Sequence, residues 1–332
     1  MKVALYSSHK FEKDFLEMAN GDKHSLVFLE PNLSLSTVSL AQGCDAVSIF
    51  VNDDASQPVL EELYKIGIRY VALRSTGYNH VNLRTASALQ MRVARVQTYS
   101  PYAVAEHSVA LMLALNRKLI KAHARVQQLN FSLDGLVGFD MHHKVAGIIG
   151  LGKIGKVVAQ ILHGFGCIIL AYDPAPDRHF ASRFHIRLTD VDTLCTQSDI
   201  ITLHVPLSEQ TKYLINAERI EKMKKGTMLI NTSRGALIHT KAVIQGLKSG
   251  KLGSLGIDVY EEEQGLFFED HSEEILQDDV IARLMTFQNV LITSHQAFLT
   301  DTALQHIAQT TIYNLDCFVQ GVVGINELTY TS

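Results

Sequence analysis

Short apolar runs recur along this chain, each followed by a stretch whose apolar residues fall at helical spacing. Over the first hundred residues the runs are Lys2 to Tyr6, Leu26 to Leu29, Ala46 to Phe50, Tyr70 to Leu73 and Arg92 to Val96. Such alternation predicts parallel strands joined by crossover helices, an α/β domain in its own right. The alternation resumes with Lys144 to Ile149, Cys167 to Tyr172, Ile200 to His204, Met228 to Asn231, Ser254 to Asp258 and Val290 to Thr293. These runs predict a second, doubly wound sheet of about six strands. Between the two blocks, Ser100 and Pro101 read as the N-cap and first position of a long helix running toward Gln127. Its segment Val104 to Leu115 is apolar almost all round, so it is expected to be buried, either between domains or against another subunit, with a subunit interface favoured. A last helix, Thr302 to Gln320, puts Leu304, Ile307, Ala308, Thr311, Leu315, Phe318 and Val319 on one face and stops at Gly321.

The run Lys144 to Ile149 leads into Gly150, Gly152 and Gly155, spaced GxGxxG, and Asp173 closes the next run. The first glycine allows a tight strand-to-helix turn, the second lets a pyrophosphate approach the backbone, and the third lets helix and strand pack closely. Behind them, Ile154, Val157, Val158, Ile161, Leu162 and Phe165 keep helical spacing, so the glycines open a βαβ unit. Asp173 is placed to accept hydrogen bonds from ribose hydroxyls. Pro174 and Ala175 offer no cation for a 2′-phosphate and Arg178 is several positions away, which favours NAD over NADP. With the last helix packed back on the first block, the chain crosses between domains near Tyr99 and near Gln296. The expected fold is two parallel-sheet α/β domains, Rossmann-like or flavodoxin-like, with a cleft between them. Residues 1–100 plus 298–332 form a substrate domain, and 101–297 an inserted NAD-binding domain.

Composition narrows the function further. Of 332 residues, 47% are hydrophobic and 19% charged, and 30 basic against 34 acidic side chains give a net charge of -4, which disfavours nucleic acid or an anionic membrane as partner. Cys44, Cys167, Cys195 and Cys317 are scattered without a CxxC, so reduced thiols in a cytoplasmic protein are expected rather than disulfides or zinc. No signal peptide or membrane span is read. The histidines, including His142 and His143, lack ligand spacing, so no metal is expected. One stretch departs from the average: Glu261 to Asp279 holds nine carboxylates and no Lys or Arg.

Ligands of open α/β sheets sit beyond the carboxyl ends of the strands. Three successive strands here run into reactive side chains: Asn231 into Thr232, Ser233 and Arg234; Asp258 into Val259, Tyr260 and Glu261 to Glu263; Thr293 into Ser294 and His295. A keto group receiving hydride at carbon develops negative charge on oxygen, which needs a cation and then a proton. Arg234 can supply the cation and grip a neighbouring carboxylate with both arms of its fork. His295 suits the proton donor, since imidazole titrates near working pH. A carboxylate on its other ring nitrogen would fix the tautomer; spacing alone does not choose among Glu261, Glu262 and Glu263, and a solvated acidic loop explains all three equally well.

The set GIIGLGKIG, AYDP, HVPL, INTSRGAL, GIDVYEEE and SHQAFLT, in this order and spacing, resembles the D-isomer-specific 2-hydroxyacid dehydrogenases. The segment GLFFEDHSEEILQDD and the ending HQAFLT look like its fermentative D-lactate dehydrogenase branch. The resemblance spans nearly the whole chain and is looser over the first 70 residues. It implies NAD-dependent reduction of a 2-keto acid such as pyruvate, with Arg234, Glu263 and His295 as the catalytic set. It further implies substrate binding by Ser75, Thr76, Gly77 and Tyr78 with Tyr99, Arg234 and Phe298. Cofactor contacts are implied at Gly150, Gly152, Lys153, Ile154, Gly155, Asp173, His204, Val205, Pro206, Asn231, Thr232, Ser233 and Asp258, and a homodimer or homotetramer through the helix near Pro101. Two positions depart from the pattern: Tyr102, where Asn is common, and Asn82, where Asp is common.

Overall fold

The computed structural model describes residues 1–330. The chain divides into two compact units, one of residues 1–100 together with those from 299 onward, the other Pro101–Phe298.

In the first unit, β1 (Lys2–Leu5), β2 (Ser25–Phe28), β3 (Ala46–Ile49), β4 (Tyr70–Leu73) and β5 (Arg92–Ala94) form a parallel sheet in the order β2-β1-β3-β4-β5. The central strands read as continuous apolar runs because both faces are covered. On one face, helices Lys10–Asn20 and Asp301–Gln320 bury Leu16, Ile312, Leu315 and Phe318 against Val3, Leu5 and Ala94. Each such side chain contributes about 1.5–3 kcal/mol by leaving water. Thr300 caps the C-terminal helix by accepting from the Ala303 amide, and Gly321 ends it in left-handed backbone at φ +69°. A short strand, Glu327–Leu328, pairs antiparallel with β5 at the sheet edge. Two residues carry no hydrophobic period, so the sequence pattern did not signal it.

The second unit holds β6 (Val145–Ile149), β7 (Ile168–Tyr172), β8 (Arg187–Leu188), β9 (Ile200–Leu203), β10 (Thr227–Asn231), β11 (Leu252–Ile257) and β12 (Val290–Ile292). All pair in parallel, in the order β12-β11-β10-β9-β6-β7-β8. The sheet thus has seven strands where about six were expected, because β8 is too short to show a period. Strand order reverses between β6 and β9, the position where doubly wound sheets bind ligands.

The long helix expected from Pro101 to Gln127 is two helices, Pro101–Asn116 and Leu119–Gln127. Lys118 sits in left-handed backbone at φ +51°, which a right-handed helix cannot pass through, and the Asn116 side chain bonds both the amide and the carbonyl of Phe139. Val109, Leu111 and Met112 are buried within their own unit, in one core with Ile148, Val158 and Ile230, and the helix lies on β10, β11 and β12. Exposed apolar side chains instead follow it, at Leu119, Ile120, Leu129, Phe131, Leu133 and Val137.

Candidate active site

The glycine loop opens at the strand-order reversal. Gly150 has φ +100°, and a Cβ there would lie 2.4 Å from the His204 carbonyl oxygen, so both conformation and space require glycine. A Cβ on Gly155 would lie 1.9 Å from the Gly150 carbonyl oxygen, which fixes how closely helix Lys153–Gly164 packs behind the loop. Gly152 differs: a Cβ there meets nothing within 4 Å. The protein's own packing does not call for glycine at this N-cap position, whereas a pyrophosphate lying against the backbone does.

Around this loop the structure fits the dinucleotide that the spacing implies. Asp173, just past β7, accepts from the amides of Leu151 and Ala175, each at 2.8 Å, and an ionised carboxylate keeps lone pairs for two further donors such as ribose hydroxyls. His204, just past β9, shares its Nε2 with the Thr202 hydroxyl at 2.9 Å, while its Nδ1 is buried without a partner among the described residues. Burial pushes its pKa down to about 3, so it is a neutral ring at working pH. Val205 and the exposed Pro206 follow it, and Lys153 and Ile154 begin the helix. The side chains of Asn231, Thr232 and Ser233 are engaged in holding their own loop. Asn231 donates to the Arg234 carbonyl and accepts from the Ser233 amide, Thr232 pairs with Ser108 at 2.8 Å, and Ser233 donates to the Leu203 carbonyl.

The C-terminal ends of β10, β11 and β12 bring Arg234, Glu263 and His295 together. His295 Nδ1 lies 3.0 Å from Glu263 Oε1, and Glu263 Oε2 accepts from the Tyr260 amide at 3.1 Å. An ionised carboxylate only accepts, so the proton of this pair rides on Nδ1 and leaves Nε2 to exchange one with a ligand. Burial raises the Glu263 pKa, but the His295 hydrogen bond and charge, the Tyr260 amide and the Arg234 charge outweigh it and hold the carboxyl below its ordinary range. Arg234 donates from Nη1 to the Ser233 carbonyl at 2.6 Å, and its remaining nitrogens bond nothing among the described residues. The next position explains how two of these loops meet: a Cβ on Gly235 would lie 2.0 Å from the Tyr260 carbonyl carbon, so the arginine loop rests on the backbone that leads into Glu263.

The acidic stretch is not simply a solvated loop. Glu261 accepts from the amide and hydroxyl of Thr240, Asp278 caps helix Asp279–Met285 and accepts the Tyr260 hydroxyl, and Glu263 takes His295. Phe268 lies beside the His295 ring with centroids 5.7 Å apart.

His295 itself sits in left-handed backbone at φ +48°, which costs a non-glycine residue about 1–3 kcal/mol and persists only where neighbours over-determine it. Asp258 supplies that determination. Fully buried, it takes the His295 amide on its carbonyl at 2.8 Å, the Gln296 amide on Oδ1 at 2.9 Å and the Ala297 amide on Oδ2 at 2.8 Å. The Thr293 hydroxyl donates to Oδ1 as well, at 2.5 Å, and His107 Nε2 lies 3.0 Å from that hydroxyl and 3.5 Å from Oδ1. Sequence reasoning missed His107, Ser108, Thr293 and Gly235. A signal existed for the first two: they are an adjacent polar pair inside the apolar segment Val104 to Leu115, and both reach loops at the strand ends.

The remaining substrate-side residues lie in the first unit, apart from Phe298, which is buried at the end of the second. Ser75 Oγ bonds the Gly77 carbonyl at 2.7 Å, and Arg95 donates to the Thr76 carbonyl at 2.9 Å while stacking 4.8 Å from the Tyr78 ring centre. The Tyr99 carbonyl is bonded by His306 Nδ1 at 2.6 Å. Asn82 caps helix Leu83–Ala88 by accepting from the Thr85 amide, a task Asn and Asp perform equally well, and Tyr102 is largely exposed.

Residues 109–297 match the family described as D-isomer specific 2-hydroxyacid dehydrogenase, NAD binding domain. A D-lactate dehydrogenase of Escherichia coli is 49% identical over 329 residues, 99% of this chain and 100% of that protein. The apo-structure of D-lactate dehydrogenase from Escherichia coli superposes with a TM-score of 0.90 at 46% identity, covering 99% of this chain and all of that one. A D-lactate dehydrogenase from Aquifex aeolicus, solved with NAD and lactic acid, gives 0.88 at 31% identity, over 99% of this chain and 100% of that one.

Proposed function

The chain belongs to the D-isomer-specific 2-hydroxyacid dehydrogenases, and from that premise we propose that it is a D-lactate dehydrogenase, reducing pyruvate to D-lactate with NADH. The observation that carries the reading is the His295–Glu263 pair beside Arg234, at the edge of the sheet whose first strand ends in the dinucleotide loop. NAD is the cofactor, and its reduced form would supply the hydride.

Arg234 holds the keto acid by its carboxylate and stabilises the negative charge that grows on the carbonyl oxygen. Losing such a donor costs about 3–4 kcal/mol of transition-state stabilisation. His295 Nε2 gives that oxygen its proton, and Glu263, kept ionised, supports the imidazolium from Nδ1. In the oxidation of lactate the neutral ring takes the proton back. Ser75, Thr76, Gly77 and Tyr78 are assigned to the substrate carboxylate through their backbone, Tyr99 and Phe298 to the side-chain end, and the unit of residues 1–100 with those from 299 onward to a substrate domain. The glycine loop with Lys153, Ile154, Asp173, His204, Val205 and Pro206 is assigned to NAD. A homodimer or homotetramer is assigned to the exposed apolar stretch after Asn116, and the cytoplasm suits four cysteines that are all free and buried. No helix among the described residues is long and apolar enough to cross a membrane.

Relative kcat/KM over a panel of 2-keto acids, run with NADH and NADPH, tests the reading. Pyruvate with NADH is expected to lead; a bulkier acid such as phenylpyruvate or 2-ketoisocaproate ranking far above pyruvate would overturn the substrate, and preference for NADPH would overturn the assignment of Asp173.

A further inference from the structure

We infer that His107 is a positioning residue: acting through Thr293 and Asp258, it fixes the left-handed turn that presents His295. The inference rests on the reading of His295 as the proton donor of the reaction.

Hydrogen-bond chemistry gives the relay a direction. Thr293 has one hydroxyl proton, and the Asp258 carboxylate, which already draws in the amides of Gln296 and Ala297, can only accept. The proton therefore points to Asp258 Oδ1, and the Thr293 oxygen must accept in turn. Its donor is His107 Nε2 at 3.0 Å, so that nitrogen carries a proton. The chain runs from His107 N–H to Thr293 O–H to the carboxylate that grips the backbone on the far side of His295.

The location suits this task. Helix Pro101–Asn116 is almost wholly apolar and rigidly seated on β10, β11 and β12, so a donor mounted on it is a fixed point against which the loop after β12 is registered. A buried carboxylate with several donors orders those donors strongly. Removing the outermost donor loosens the Thr293 hydroxyl, which can then rotate away from Asp258, and the turn loses one of its anchors. His107 does not touch the reacting atoms in this arrangement; its effect reaches them only through the placement of His295.

The test uses the full-length enzyme with His107→Ala, His107→Gln, Thr293→Val and the double variant His107→Ala/Thr293→Val. Alanine keeps helix propensity, and glutamine carries an amide N–H close to the position of Nε2. His107→Ala is expected to lower kcat roughly 10- to 100-fold, the scale of a small misplacement of a catalytic group. NADH affinity by fluorescence titration, the KM for the keto acid and the melting temperature should stay near wild type. His107→Gln should recover most of kcat, Thr293→Val should match His107→Ala, and the double variant should be no worse than the poorer single one. Amide exchange of the peptide covering residues 293–299 should speed up in His107→Ala and return with glutamine. The proposal is overturned by kcat unchanged in His107→Ala, by NADH affinity and stability falling in step with kcat, by glutamine failing to rescue, or by effects that multiply in the double variant. If the wild-type protein reduces no 2-keto acid, the proposed function fails, and exchange at residues 293–299 still decides whether His107 holds the turn.

Discussion

Gly150 and His295 both stand in left-handed backbone just beyond the end of a parallel strand of the same sheet, yet one is a glycine and the other a histidine. At Gly150 the backbone is all that is needed, and a side chain would strike the His204 carbonyl. Glycine adopts that conformation at low cost, and its amide donates to the Tyr172 carbonyl at 2.7 Å. At His295 the side chain is the point of the position, so the unfavourable φ is retained and Asp258 binds the backbone on both sides of it. The two solutions differ in where their information lies. A glycine states its conformation locally, whereas a strained histidine depends on partners 37 and 188 positions earlier, Asp258 and His107.

Of the two positions, the glycine is the more sensitive to substitution. Gly150→Val adds a clash to an unfavourable φ, and we expect it to destabilise the nucleotide unit by about 3 kcal/mol or more and to abolish NADH binding, read by thermal melting and fluorescence titration. At the histidine the two functions of the position separate. His295→Gln and His295→Gly should each lower kcat/KM by roughly 10² to 10⁴. The glycine variant should nevertheless be about 1 kcal/mol the more stable of the two, because it alone relieves the left-handed strain. Equal stability would mean that the turn is not strained.

A smaller effect is expected at Gly152, where φ is -70° and a Cβ meets nothing. Gly152→Ala should melt like wild type and bind NADH roughly tenfold or more weakly, since its cost falls on the ligand rather than on the fold. Unchanged binding would contradict the assignment of this position to the pyrophosphate. The smallest effect is the contribution of Glu263 to stability. Its folded pKa is depressed, so the stabilisation is present above the unfolded pKa and is lost as pH falls through the folded one. Glu263→Gln should therefore be less stable than wild type at pH 7, with the difference shrinking on acidification in melts run across the carboxylate range.

What could be read from the sequence follows the same division. The long strands were legible because parallel strands buried on both faces are continuous apolar runs, and the glycine loop because its three glycines fall within six residues. Asp173 was legible as the acid ending the next strand. The two-residue strands were not, since they are too short to carry a period. The break at Lys118 was not either, because a lysine carries no local signal for left-handed backbone. Convergence of Arg234, His295 and an acid could be anticipated from strand ends, but the acid itself came from family resemblance. Geometry supplies the physical reason: Glu261 is turned to Thr240 while Glu263 faces His295. The network beneath His295 joins helix Pro101–Asn116 to two strand ends, and only the folded chain brings those together.

In the proposed reaction His295 alternates between proton donor and acceptor while Glu263 stays ionised. The most direct test of this alternation is the pH dependence of kcat/KM measured in both directions on the wild-type enzyme. Pyruvate reduction should fall as pH rises and D-lactate oxidation should fall as pH drops, with both dependences removed in His295→Gln. Profiles that run parallel in the two directions, or that survive intact in His295→Gln, would contradict it.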